Sequence, residues 1–226
     1  NTSNSSNISI YTSFAYPMRS MTLLAVALSV PVFAGIGSEP TVRSHPKQAY
    51  IDFLLEYMEL RYPEQPRTGT LLYVSLDQQS MFLVKEGTLL KVYPVATASN
   101  GPGMEINSNR TPTGLHVIGK KIGDNVPMMG ILSERRYTGE LANPDRISED
   151  TDLITSRILW LEGLEPGVNK GGANDSYQRC IYIHGTANER SIGSPSSHGC
   201  IRMLNADVID LYERVPVGAL VVILDN

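Results

Sequence analysis

The 226-residue chain has only two cysteines, one tryptophan and four histidines. Two thiols cannot staple a chain of this length, so a disulfide scaffold is excluded as the source of its stability. Positive charge is not in excess either: 19 basic against 23 acidic residues leave a net charge of -4. Phosphate backbones need clustered Lys and Arg, so nucleic acid is not expected as a partner. No apolar run reaches the roughly 20 residues that cross a bilayer core of about 30 Å. What remains is ordinary globular composition, 42% hydrophobic and 19% charged, long enough for one domain with trimmings or two small ones.

The amino end reads as leader, not as fold. Residues 1–17 contain no Met, no base and no acid, and are taken as an upstream extension or added sequence. Met18-Arg19-Ser20-Met21 then opens an apolar stretch, Thr22 to Val30, followed by Pro31-Val32-Phe33-Ala34. One positive charge, a short apolar core and small residues at Val32 and Ala34 make residues 18–34 a cleavable secretory signal, cut after Ala34. The alternative, a membrane anchor, falls short: Met21 to Ile36 gives 16 residues, broken by Ser29, Pro31 and Gly35. The product is expected to begin at Gly35, to be exported to the periplasm and to keep no stable membrane anchor.

Residues 35–67 read as a leader with one helix. Over Ala49 to Tyr62, Tyr50, Phe53, Leu54, Tyr57, Met58, Leu60 and Arg61 follow helical spacing, and Pro63 and Pro66 end the run. This amphipathic stripe is expected to pack on the main domain, residues 68–226. From Thr68 the texture turns to short β-rich segments. Leu71 to Leu76, Met81 to Lys85, Leu89 to Thr97, Leu115 to Gly119, Ile158 to Leu161, Cys180 to His184 and Ala219 to Leu224 read as strands. Arg110-Thr111-Pro112-Thr113-Gly114 is a turn. Asn205 is placed to cap a short helix ending near Arg214. Hence a mainly β catalytic domain with a few short helices is expected, preceded by one amphipathic helix.

Chemistry concentrates in one stretch: Ile183-His184-Gly185-Thr186, a Gly-, Ser-, Pro- and Asn-rich connection, then Ser197-His198-Gly199-Cys200-Ile201-Arg202. A strand-end His and a Cys beyond a loop that folds back can meet, which gives a thiol its base. Gly199 lets backbone approach a carbonyl, and the N–H groups of Gly199 and Cys200 could face a developing oxyanion, each worth about 3 kcal/mol where measured elsewhere. Two blander readings compete: a lone Cys is usually a small buried hydrophobe, and His184, His198 and Cys200 could hold a metal, although their spacing follows no familiar zinc pattern.

At these residues a family resemblance enters. IYIHGT followed by SSHGCIRM strongly resembles the L,D-transpeptidases of the YkuD family, whose signature is a His, a loop, then Ser or Thr-His-Gly-Cys. The likeness runs over roughly residues 68–225 and takes in the RTPTG turn, ILWLEGLEP at 158–166 and the helix after the motif. The loop of twelve residues between His184 and Ser197 is at the short end for the family, and Arg202 stands where Asn is the other common choice. The resemblance implies a β-sandwich or mixed-sheet fold and a cofactor-free thiol acyltransferase of the cell wall. Cys200 would attack a peptidoglycan stem tetrapeptide and expel D-Ala. His184 would serve as base, with the Gly185 carbonyl orienting it, while His198, Gly199 and Cys200 shape the oxyanion site. Ser197 and Arg202 would meet substrate, Arg202 through a stem carboxylate or else through a structural salt bridge. The acyl group would pass to an amine, as a 3-3 cross-link or on a wall-attached protein. Alternatives are resolution by water, giving a carboxypeptidase or amidase, and a wall-binding protein without activity. Carbapenems are the expected inhibitors.

Cys180 is the remaining thiol. Strand alternation would send Cys180, Tyr182 and His184 to one face, with Cys180 about 13 Å from His184 along an extended strand. A disulfide needs Cα atoms within about 7 Å. Cys180 is therefore expected to be buried and inert rather than paired with Cys200.

Overall fold

The computed structural model describes residues 46–66, 69–146 and 152–226, all within a compact unit spanning 43–226. The signal segment, its cleavage point and the upstream extension lie outside the described residues. Ten strands and two α-helices follow the order α1 (Pro46–Arg61), β1 (Thr70–Ser75), β2 (Ser80–Lys85), β3 (Thr88–Ala96), β4 (Gly114–Ile122), β5 (Gly130–Ser133), β6 (Arg136–Leu141), β7 (Ile154–Gly163), β8 (Tyr182–Thr186), β9 (Ile201–Met203), α2 (Asn205–Arg214) and β10 (Leu220–Leu224).

The sheet is mixed, as expected, and it closes on itself. Its order is β4-β10-β1-β2-β3-β9-β8-β7-β5-β6, and β4 pairs with β7 as well as with β10. Eight strands thus form a ring, and the β5–β6 hairpin hangs from β7. Two pairs are parallel, β1 with β10 and β8 with β9. The rest are antiparallel.

Period-2 alternation sorts the strand residues into two apolar layers. Leu72, Val74, Leu83, Tyr93, Ile118, Leu161, Ile183, Ile201, Met203 and Val221 fill the interior with Val208 and Leu211 of α2. Leu71, Tyr73, Phe82, Val84, Leu115 and Val222 point the other way and are covered by α1. The helix does pack on the domain, but through Ile51, Leu54 and Met58. Tyr50, Phe53 and Leu60 of the expected stripe face outward, 54%, 63% and 77% exposed. A sheet face accepts one narrow stripe, and Ile51, three and seven residues before Leu54 and Met58, sets it. Glu165 fastens the end of α1 by accepting from Arg61 Nη2 and Tyr62 Oη, both at 2.9 Å.

Two local expectations need correction. Asn205 does not cap α2, since it is the first helical residue and its side chain is spent elsewhere: Oδ1 accepts from Thr155 and Ser156, and Nδ2 donates to the Thr186 carbonyl at 2.8 Å. The helix start is instead met by Glu189, whose carboxylate accepts the Asn205 N–H at 2.7 Å. Cys180 does not belong to β8. It adopts the left-handed region, φ 57°, and the strand begins at Tyr182.

Candidate active site

Parallel pairing of β8 and β9 builds the site. Ile183 lies opposite Ile201 and His184 opposite Arg202. Ile183, Ile201 and Met203 point into the interior, so Tyr182, His184, Cys200 and Arg202 share the opposite face. On that face Ile158, Trp160 and Tyr182 pack with Leu132 of the β5–β6 hairpin, and Cys180 and Cys200 border the cluster.

Cys200 is half-buried as a residue, and its thiol is free of any disulfide. Tyr182 N–H donates to Sγ at 3.4 Å, and the thiol donates to the Cys180 carbonyl, also at 3.4 Å. Burial pushes the Cys200 thiol up to about 12, opposed by the Tyr182 N–H. His184 is 1% exposed, and its Nδ1 meets the Gly185 carbonyl at 2.8 Å. That contact assigns the ring proton to Nδ1 and leaves the Nε2 lone pair able to accept a proton. Burial lowers the imidazole below its usual value, against the pull of the Asp152 carboxylate. At neutral pH the resting pair is therefore a neutral thiol and a neutral imidazole. Among the described residues no hydrogen bond joins the two; the thiol's partners are backbone groups.

The two glycines are dictated by their surroundings. A Cβ on Gly185 would stand 2.7 Å from both Asn205 Oδ1 and the Thr155 carbonyl. Gly199 has φ 129°, and a Cβ there would approach the Arg110 carbonyl to 3.2 Å. The RTPTG turn thus abuts the Cys200 loop, and Thr111 secures it: Oγ1 donates to the Gly199 carbonyl and accepts from Ala98 N–H, both at 3.0 Å.

Ser197 is fully buried. Its hydroxyl donates to the Cys200 carbonyl at 2.6 Å and accepts the Gly199 N–H at 3.2 Å. That hydroxyl holds the loop's own backbone, and the Gly199 N–H is committed to it. His198 is 58% exposed on its side chain, with Nδ1 3.2 Å from Asp152 Oδ2. Arg202 is 2% exposed and meets the same Asp152 oxygen through Nη2 at 2.6 Å, which is the salt-bridge role left open for it.

Asp152 escaped the sequence reading. Burial alone would raise its carboxyl, yet the Arg202 hydrogen bond and the neighbouring His184 and His198 hold it below the usual carboxylate range. Arg179 and Arg135 were missed too. The Arg179 guanidinium donates to the carbonyls of Gly103, Met104 and Arg110 at 3.2, 2.7 and 2.7 Å, bracing the loop that meets Gly199. Arg135, at the β5–β6 turn, donates to Tyr182 Oη at 3.2 Å and lies 5.0 Å over the Trp160 ring. Cys180 is half-buried beside it, with Arg135 Nη1 3.7 Å from its sulfur, so the expected full burial is corrected. A left-handed bend before β8, not an extended strand, sets where that thiol lies. No group of three His, Cys, Asp or Glu side chains able to hold a metal occurs among the described residues.

Residues 69–223 match the family model of the YkuD L,D-transpeptidase catalytic domain. The chain belongs to the YkuD family. A Bacillus licheniformis protein assigned by name to the L,D-transpeptidases, YkuD, is 30% identical over 160 residues, 61% of this chain and 94% of that protein. YqjB of Bacillus subtilis, so assigned as well, is 50% identical over 48 residues, 21% of this chain and 27% of its own length. Among solved structures, an L,D-transpeptidase in complex with imipenem is 14% identical, with a TM-score of 0.42 over 69% of this chain and 59% of that one. This chain therefore spans less than two thirds of some of the relatives it matches. The 48-residue match to YqjB and the 160-residue match to YkuD differ greatly in extent, and only the second takes in nearly a whole YkuD-family protein.

Proposed function

We propose that this YkuD-family chain is an exported cysteine acyltransferase that works on peptidoglycan stem peptides. The observation that carries the reading is the shared face of Cys200 and His184, with His184 Nδ1 anchored on the Gly185 carbonyl so that Nε2 is free to accept a proton. As Cys200 Sγ bonds to the carbonyl of the third stem residue, the thiol proton passes to His184 Nε2. It is then delivered to the nitrogen of the departing D-Ala as the C–N bond breaks. A thioester and a neutral amine result, and the imidazole is neutral again. In the second half an acceptor ammonium gives one proton to His184 and attacks the thioester. Its second proton goes to the leaving thiolate, and the first returns from His184 to solvent. Tyr182 N–H supports the thiolate form of Cys200. With the Gly199 N–H held by Ser197, the loop's donor to the oxyanion is the Cys200 N–H.

Incubating the purified chain with a disaccharide-tetrapeptide and following products by mass should show cross-linked product with loss of D-Ala. Imipenem should add one inhibitor mass. Cys200→Ala should abolish both, and activity above about a hundredth of wild type in that variant would defeat the assignment, because losing a nucleophile costs several powers of ten. Tripeptide as the sole product would replace the amine by water. Because stem peptides lie outside the cytoplasm, protein recovered from an envelope fraction should begin at Gly35, and an intact Met18 start would contradict export by a cleavable signal.

A further inference from the structure

The peptide between His184 and Gly185 faces a lapse in the sheet. On β7, Thr155 pairs with Gly185, but His184 pairs with Ile158, so Ser156 and Arg157 bulge out with no partner on β8. Ser156 takes the left-handed region there, φ 63°. A bulge interrupts the ladder where it sits. The regular strand pairing thus fails opposite the two residues whose relation matters most, His184 and the Gly185 carbonyl that its Nδ1 meets at 2.8 Å.

Asn205, buried at the start of α2, makes the missing connections through its side chain. Oδ1 accepts from Thr155 Oγ1 at 2.7 Å and from Ser156 Oγ at 2.6 Å. Nδ2 donates to the Thr186 carbonyl and to Glu189 Oε1, both at 2.8 Å, and touches Met129 Sδ at 2.9 Å. The Thr186 carbonyl and the Glu189 carboxylate can only accept, so the amide cannot be turned round. A Cβ on Gly185 would stand 2.7 Å from Oδ1, which places that glycine directly against the amide. One side chain thereby ties the bulge of β7, the end of β8 and the connection that leads to Cys200. None of these bonds goes to the backbone of α2, so starting the helix does not account for them.

We propose that Asn205 is a positioning residue: by holding Gly185 and Thr186 it fixes the direction of the Gly185 carbonyl, and through that carbonyl the tautomer and aim of His184. It touches no reacting atom. This inference rests on the acyl-transfer reading above and adds to it the residue that aims the base.

Asn205→Ala should lower kcat for the tetrapeptide about a hundredfold per folded molecule, the cost of a misplaced catalytic group, and leave KM within about twofold because no substrate contact is lost. A spectroscopic signature separates this from loss of structure. In spectra of the chain labelled with heavy nitrogen at histidine, the Nδ1 proton of His184 is assigned by its absence in His184→Gln. It should exchange with solvent at least about tenfold faster in Asn205→Ala than in wild type. Thr155→Val serves where Asn205→Ala does not fold, since it keeps the side-chain shape and removes one bond to Oδ1. It should lower kcat several-fold and speed the same exchange, and Thr155→Ser should restore both. An unchanged exchange rate in folded Asn205→Ala or, failing that, in Thr155→Val would overturn the assignment, as would equal kcat for Thr155→Val and Thr155→Ser. If wild type forms no acyl-enzyme with tetrapeptide or imipenem, the proposed function falls instead. The His184 proton, which needs no turnover, then decides by itself whether Asn205 positions that ring.

Discussion

The two histidines of the motif sit in opposite environments. His184 is 1% exposed with Nδ1 committed to the Gly185 carbonyl, whereas the His198 side chain is 58% exposed and rests on Asp152. His184→Ala should therefore cost at least about a thousandfold in kcat/KM, and His198→Ala about tenfold, since only the first removes the proton acceptor. The reverse order would reassign the base. In the proposed mechanism His184 works in its neutral form, and burial lowers its titration below the usual 6.5, so activity should hold at pH 6.5 and fall only further into acid. Burial places the thiol near 12, which leaves no alkaline limb in the neutral range. Asp152→Asn removes the carboxylate that favours the imidazolium, so the acid limb should move to lower pH; a merely structural role would leave it in place. Cys200 and His184 were legible in the sequence because their residue types are rare and lie within one motif. Asp152 was not, because Glu149, Asp150 and Asp152 are equivalent in the text and only β9, which brings Arg202 alongside, selects one of them.

Strands were readable where one face alternates and turn residues punctuate, as for β1, β2 and β10. The β5–β6 hairpin was not, because its turn is Glu134-Arg135, both left-handed at φ 48° and 64°, where Asn or Gly is the usual signal. Every residue of β6 is exposed, so no alternation marks it either. β9 is three residues long and carries a buried Arg, which hides it from any apolar pattern. β4 shows how tightly an element is fixed by polar contacts that sequence does not announce. His116, fully buried within it, sets Nδ1 against the Gly114 carbonyl at 3.1 Å and Nε2 against Ser176 Oγ at 2.9 Å. Burial lowers this imidazole to about 4. Its folded value lies below the unfolded one, so the contribution is complete above pH 6.5 and is lost as pH falls towards 4. The linked loss is about 3 kcal/mol. Urea unfolding of wild type and His116→Gln between pH 7 and pH 4 should show a shallower acid decline in the variant. Parallel declines would place the titration elsewhere.

At the scale of the molecule, ring closure through β4 and β7 leaves the sheet with an interior layer and an outer face, and both need cover. α2 serves the first and α1 the second. The family match begins at residue 69, after α1, yet Ile51, Leu54 and Met58 of that helix share one apolar cluster with Leu71, Tyr73, Phe82, Val84 and Val222 of the sheet. Burying three such side chains is worth roughly 1.5–3 kcal/mol each. Uncovering the strand face they protect adds exposed apolar surface of the kind that drives association. A chain beginning at Thr68 should consequently unfold with a midpoint lowered by roughly 10 °C or more against one beginning at Arg43, or aggregate on expression. Leu54→Ala in the longer chain is the milder form of the same test and should cost roughly 2–4 kcal/mol. Because α1 contributes no residue to the face that carries Cys200 and His184, imipenem should still add one mass to whatever fraction of either variant is folded. A truncated chain that melts within a degree or two of the longer one would mean that α1 rests on the sheet without stabilising it.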